Sequence, residues 1–156
     1  MITPQDITVD DFKTWFSRDF LYEIPAGSDI ARPGCPNEYV KDSDLDKAKI
    51  EAIQVFNPSL FCTDEQLKTF FFYLWAYFLV NDLQTSAQGV GSTPFFMVNS
   101  RTVGGVSESY TIPDWLAKDP ILSAYATNRY GQKYVTMIKP LLIGNVQIAY
   151  GWTTPE

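Results

Sequence analysis

The segment Phe70 to Val80 reads FFFYLWAYFLV, eleven consecutive residues without a charge. Thr63 and Gln66 form a capping-box pattern ahead of it, so the sequence predicts a helix opening at Thr63 and reaching roughly to Ser86. Between Leu67 and Leu83 its apolar residues point in nearly every direction around the axis. A helix that is apolar all round has to be covered all round. A membrane-spanning helix needs roughly twenty such residues, so this one is expected to lie buried in protein. Two readings stay open for it: an ordinary central core helix that the rest of the chain encloses, or a helix left partly uncovered for a neighbouring subunit, for which Phe72, Tyr73, Trp75 and Tyr77 are the candidate interface residues.

Elements on either side are expected to build a small, mainly α bundle. Thr8 is placed to cap a first helix, with Asp10 and Asp11 in its first turn and Phe12, Trp15 and Phe16 sharing its apolar face. Five Pro and Gly residues between Tyr22 and Tyr39 predict a loop. A second helix is expected from a Ser43 cap, with Leu45, Ala48, Ala52 or Ile53, and Phe56 at helical spacing, ending at Asn57-Pro58. After the central helix, Phe95–Arg101 and Val106–Ile112 read as strands around Gly104-Gly105, a β-hairpin insertion at about 95–112. Short helices follow at Trp115 to Lys118 and from Pro120 toward Thr127. A last helix runs from about Tyr130 to Leu142, its final turn restricted by Pro140. Val146, Ile148, Tyr150 and Trp152 alternate with more polar or smaller residues, as in a strand. The domain reading is one helical domain over 1–144 with an extended C-terminal arm over 145–156.

Chemistry is conspicuous mainly by what is missing. The 156 residues contain no histidine, the commonest general base and metal ligand, and no GxxxxGK, GxGxxG, CxxC or HExxH pattern. Asp42, Asp44, Asp46 and Glu51 lack the glycine and twelfth-position carboxylate of a calcium loop and read as a solvated helix start. Cys62 has no base to activate it and reads as a buried structural thiol. Glu65 and Asp82 are a carboxylate pair that nothing in the sequence brings together. The expectation is a non-catalytic chain without a cofactor or metal. Cys35 and Cys62 fit neither a disulfide framework nor a metal motif, and the start of the chain lacks the features of a secretory signal, so a reducing cytosol is the expected site of synthesis. The formal charge is −6 with no basic cluster, which argues against gripping duplex DNA. Aromatic residues reach 15% of the chain, a share that favours assembly with other copies or proteins.

Four segments in chain order carry a family likeness. They are Phe56-Asn57-Pro58-Ser59-Leu60-Phe61, Ser86-Ala87-Gln88-Gly89, Val103-Gly104-Gly105-Val106-Ser107-Glu108-Ser109-Tyr110 and Tyr130-Gly131-Gln132-Lys133-Tyr134. Together with Asp42 to Ala48 and Ile143 to Val146, they make most of the chain resemble the small head-tail connector, or adaptor, proteins of tailed bacteriophages and prophages. The valine-glycine, serine and tyrosine hairpin is the most specific part: Val103, Gly104, Gly105, Val106, Ser107 and Tyr110. The resemblance implies a virion protein of the neck, made in the host cytoplasm. It implies a ring of copies, commonly about twelve, beneath the portal protein, in contact with the next neck or tail protein. DNA would pass through the lumen without specific binding, and no membrane is involved. It also implies that the C-terminal segment docks on the portal, which assigns that role to Val146, Ile148, Tyr150 and Trp152. The long Ile24 to Asn37 loop departs from the family pattern. Two other readings stay open: a head-closure or tail-completion protein one ring lower, and a small-molecule-binding regulatory module using an aromatic pocket.

Overall fold

A computed structural model describes residues 2–22, 39–89, 100–103, 106–109 and 113–142. The chain is mainly helical. In order come α1 (Val9–Trp15), α2 (Asp42–Val55), a single 3-10 turn (Pro58–Leu60), α3 (Asp64–Gln88), β1 (Ser100–Val103), β2 (Val106–Ser109), α4 (Asp114–Ala117), α5 (Pro120–Tyr125) and α6 (Arg129–Leu142).

Local chemistry fixes the helix ends. Thr8 and Asp11 form a reciprocal capping box on α1: the Thr8 hydroxyl oxygen accepts from the Asp11 N–H at 3.1 Å, and Asp11 Oδ2 accepts from the Thr8 N–H at 3.1 Å. Thr63 caps α3 by accepting from the Gln66 N–H at 3.3 Å. The start of α2 differs from the sequence expectation. Lys41, not Ser43, holds the cap position, and the orphan Lys41 N–H is satisfied by Asp44 Oδ2 at 3.2 Å, so the acidic first turn reaches back to do the capping. Phe56 leaves α2 in an extended conformation and Pro58 starts the 3-10 turn, as the Asn57-Pro58 pair predicts. Pro140 sits inside the last turn of α6, which ends two residues later.

α3 is the axis of the molecule, packing most extensively on α2 and α6. Leu67, Phe71, Phe72, Leu74, Trp75, Ala76, Tyr77 and Leu79 are all buried along it. α1 lays Phe12 against Trp75, with ring centres 4.5 Å apart, and Phe16 against Tyr73 at 5.7 Å. α2 contributes Leu45, Ala48, Ala52 and Phe56, and the turn after it stacks Phe61 on Phe56 at 5.1 Å. Each fully buried large apolar side chain contributes roughly 1.5–3 kcal/mol, so this aromatic seam dominates the stability of the bundle. The Trp75 indole N–H donates to the Leu45 carbonyl at 2.9 Å, which satisfies its buried polar group and pins α2 to α3.

Two features set the remaining topology. The Val40 N–H donates to the Leu21 carbonyl at 2.7 Å, so the two ends of the segment between α1 and α2 are held side by side. β1 and β2 pair antiparallel, with Ser100 opposite Ser109 and Val103 opposite Val106. The strands expected over 95–101 and 106–112 overlap these at 100–101 and 106–109. Positions 95–99, Gly104, Gly105 and Tyr110 to Ile112 lie outside the described residues, as do the expected 24–37 loop and the arm over 145–156.

Candidate interaction surfaces

Of the four candidate interface residues, Phe72, Trp75 and Tyr77 are interior. They are 1%, 0% and 7% exposed within the chain alone. The expectation that the other helices leave α3 uncovered there is corrected. α1 closes over Phe72, α2 over Trp75, and the α5–α6 corner over Tyr77, whose hydroxyl donates to the Ala124 carbonyl at 3.0 Å. Only Tyr73 is half-buried, with the Lys133 ammonium 4.3 Å from its ring centre and bonded to its hydroxyl. The apolar side chains that do reach solvent sit elsewhere. Trp15, placed by sequence on the inner face of α1, is 50% exposed, and Ile50, Val55, Trp115, Ile121, Leu141 and Leu142 are exposed on α2, α4, α5 and α6.

Several of the candidate acidic groups take structural partners. Asp42 pairs with Lys13, Asp44 is the cap described above, and Glu51 faces Lys47 at 3.7 Å. No group of metal-ligating side chains occurs among the described residues. Cys62 is a free thiol and exposed, which corrects the expectation of a buried one. Glu65 and Asp82 are separated by seventeen residues of one helix, roughly 25 Å. Asp82 instead pairs with Lys47 at 3.0 Å, and this hydrogen-bonded carboxylate raises the lysine pKa.

The α5–α6 corner is a polar joint inside an apolar bundle. Asn128 accepts the Gly131 N–H at 2.9 Å and gives its amide to the Tyr77 carbonyl at 3.2 Å and to Asn81 Oδ1 at 3.0 Å. It therefore caps α6 and ties it to α3 with one side chain. Next to it, Gly131 packs so closely that a Cβ there would lie 1.7 Å from the Tyr125 carbonyl oxygen and 2.6 Å from the Tyr77 ring. On the other side of α6, Tyr130 stacks on Phe20 and donates to Asp19 at 3.2 Å; burial first, and the Asp19 carboxylate second, push its pKa up to about 12.

A groove of about 500 Å³ opens between α1 and α3, lined by Thr8, Asp10, Asp11, Thr14, Trp15, Lys68 and Phe72. Lys68 crosses its floor, 3.0 Å from Asp11 and 5.8 Å from the centre of the Phe72 ring. The hydrogen bond from Lys68 and those from Thr8 hold the Asp11 pKa below its usual value. Sequence reasoning missed this groove because Lys68 and Asp11 are 57 residues apart. Sequence reasoning missed the Asn128 cap as well; an Asn just ahead of a helical pattern is the signal that would have found it.

No helix among the described residues is long and apolar enough to cross a membrane. Comparison with family models, curated proteins and solved structures finds no match to this chain.

Proposed function

We propose that the chain is a structural subunit of the bacteriophage neck, a head-tail connector that forms a ring of about twelve copies under the portal protein and leaves a lumen for DNA. The observation that carries this reading is the likeness of four segments in chain order. In the fold, three of those segments fall at joints. Phe56–Phe61 is the turn between α2 and α3, Ser86–Gly89 ends α3 with Gly89 at a positive φ of 64°, and Tyr130–Tyr134 opens α6 around the crowded Gly131.

The reading assigns the segment 145–156, whose alternating pattern is that of a strand, to the portal. Val146, Ile148, Tyr150 and Trp152 would enter pockets there while the backbone adds to a strand edge. In this reading the hairpin to which β1 and β2 belong would be the insertion that reaches a neighbouring copy or the lumen. A net charge of −6 without a basic cluster suits a channel in which DNA must slide, because each phosphate contact would add grip. The role is non-catalytic and needs no cofactor. The alternative of a small-molecule module is weakened by the α3 aromatics, since Phe72, Trp75 and Tyr77 pack against the chain's own Phe12 and Tyr125 rings. A head-closure or tail-completion position is separated from the connector position by locating the chain in virion density, one ring lower.

The test is co-sedimentation of the full chain, and of a chain ending at Gly144, with the portal of the phage or prophage that encodes it. The full chain should bind, and the truncated one should keep its circular dichroism spectrum and melting transition but lose the portal. Equal binding by both removes the docking role of the arm, and no binding by either removes the connector reading.

A further inference from the structure

Two partly exposed tryptophans each lie beside an ionised side chain, of opposite sign in the two cases. At the α1–α3 groove, the Lys68 ammonium neutralises Asp11, but the Asp10 carboxylate at the rim has no ion-pair or hydrogen-bond partner among the described residues. Trp15, 50% exposed, forms the apolar wall beside it. At the far end of α6, Lys139 places its ammonium 3.4 Å from the centre of the Trp115 ring, and it has no carboxylate partner among the described residues. Trp115 is 36% exposed, and Leu142, in the same last turn of α6, is 51% exposed. Asp114 and Asp119 bracket α4, the second held by the Ile121 and Leu122 N–H groups, and Lys118 offsets the first, so the cation that this corner offers is the Lys139 ammonium itself.

These two places face different ways. The groove is built on Lys68 and Phe72 of α3, whereas α6 packs across Tyr73 and Tyr77, each five residues further on and roughly 140° around the helix axis. A contact that joins one to the other between two molecules is head-to-tail. Such contacts propagate into closed rings or filaments, which a face-to-face contact cannot do.

We propose that the α1–α3 groove receives the Trp115–Lys139 corner of a second copy, with Asp10 pairing Lys139 and the two tryptophans excluding water around the pair. The occupant is a second copy because the charge that the groove lacks is the one the chain presents on its other flank. The aromatic walls bury apolar surface, while the ion pair fixes register and steers approach. This contact rests on the ring reading given above and names the surfaces that make the ring.

Sedimentation velocity over a range of concentrations tests it, with the full chain and the variants Asp10→Lys, Lys139→Glu and the double variant carrying both. The wild type is expected to self-associate, less strongly as salt is raised. Each single variant should weaken association about tenfold or more by placing like charges opposite each other, and the double variant should recover most of the loss. Melting curves of the four proteins check that the fold is kept; Asp10 is exposed, so Asp10→Lys alone suffices if Lys139→Glu does not fold. A wild type that stays monomeric throughout, single variants that associate like wild type, or a double variant no better than the weaker single one would each overturn the contact. Portal binding, measured on the same samples, separates the two ideas. A chain that binds portal but fails the charge swap refutes this interface and leaves the connector role, while one that passes the swap but ignores portal does the reverse.

Discussion

Replacing Gly131 by alanine should reverse the usual sign of a glycine-to-alanine change in a helix. In an open helical position alanine is favoured by roughly 1 kcal/mol. Here the new methyl would sit 1.7 Å from the Tyr125 carbonyl oxygen and 2.9 Å from its carbon, both backbone atoms, so the end of α5 would have to retreat by about 1.3 Å or more. That retreat carries with it the Ala124 carbonyl, which holds the Tyr77 hydroxyl, and the Ala126 carbonyl, which holds Gln132. Overpacking of this kind costs about 1–3 kcal/mol, and weakening two hydrogen bonds adds about 1 kcal/mol each. After the helix gain is offset, the net loss is about 2–4 kcal/mol, which lowers the melting temperature of a chain this size by about 4–16 °C. Thermal and urea unfolding of the two proteins measures it. Gly89→Ala serves as a comparison, because a Cβ there meets nothing within 4 Å and any loss of about 1 kcal/mol comes from the positive φ alone. A Gly131→Ala protein as stable as wild type, or more so, would refute the close approach of α5 and α6.

Trp75→Phe removes buried volume and leaves the Leu45 carbonyl without its indole donor, so urea unfolding should show a loss of about 2–4 kcal/mol. Asn128→Ala strips the α6 cap and both ties to α3 and should cost about 1–2 kcal/mol, with faster amide exchange concentrated in the first turn of α6. Because the folded Asp11 pKa is depressed, its contribution is fully present above the unfolded carboxylate value and is lost as pH falls through the lowered folded value, so stability should decline below about pH 4. Lys68→Met should flatten part of that decline, by under about 1 kcal/mol for so exposed a pair, as read from melts at about pH 3 and about pH 6.

The helices were legible in the sequence because their signals are local. Thr8, Thr63, Asn57-Pro58 and Pro120 mark ends through bonds made within four residues, and Leu45, Ala48, Ala52 and Phe56 mark a face by spacing alone. The α2 cap was misplaced by two residues because a carboxylate at the third helical position does the work that a hydroxyl at the cap normally does. What the sequence could not show is which sides of α3 the chain covers for itself. Phe72, Trp75 and Tyr77 look like surplus apolar surface until α1 and the α5–α6 corner are folded over them, and those contacts join residues up to about 60 positions apart. Trp15 shows the converse. Its spacing from Phe12 puts it near the inner face, yet it lies at the edge of the packed seam against Phe72, with half its surface in water. The α1–α3 groove and the Trp115–Lys139 corner are products of that same long-range packing.

The ring on the portal proposed above can be looked for by imaging. Electron microscopy of the full chain mixed with that portal tests it most directly. Class averages should show a second ring of about twelve helical subunits lying coaxially beneath the portal, with an open lumen. Portal rings left bare at saturating concentrations of folded chain would contradict it.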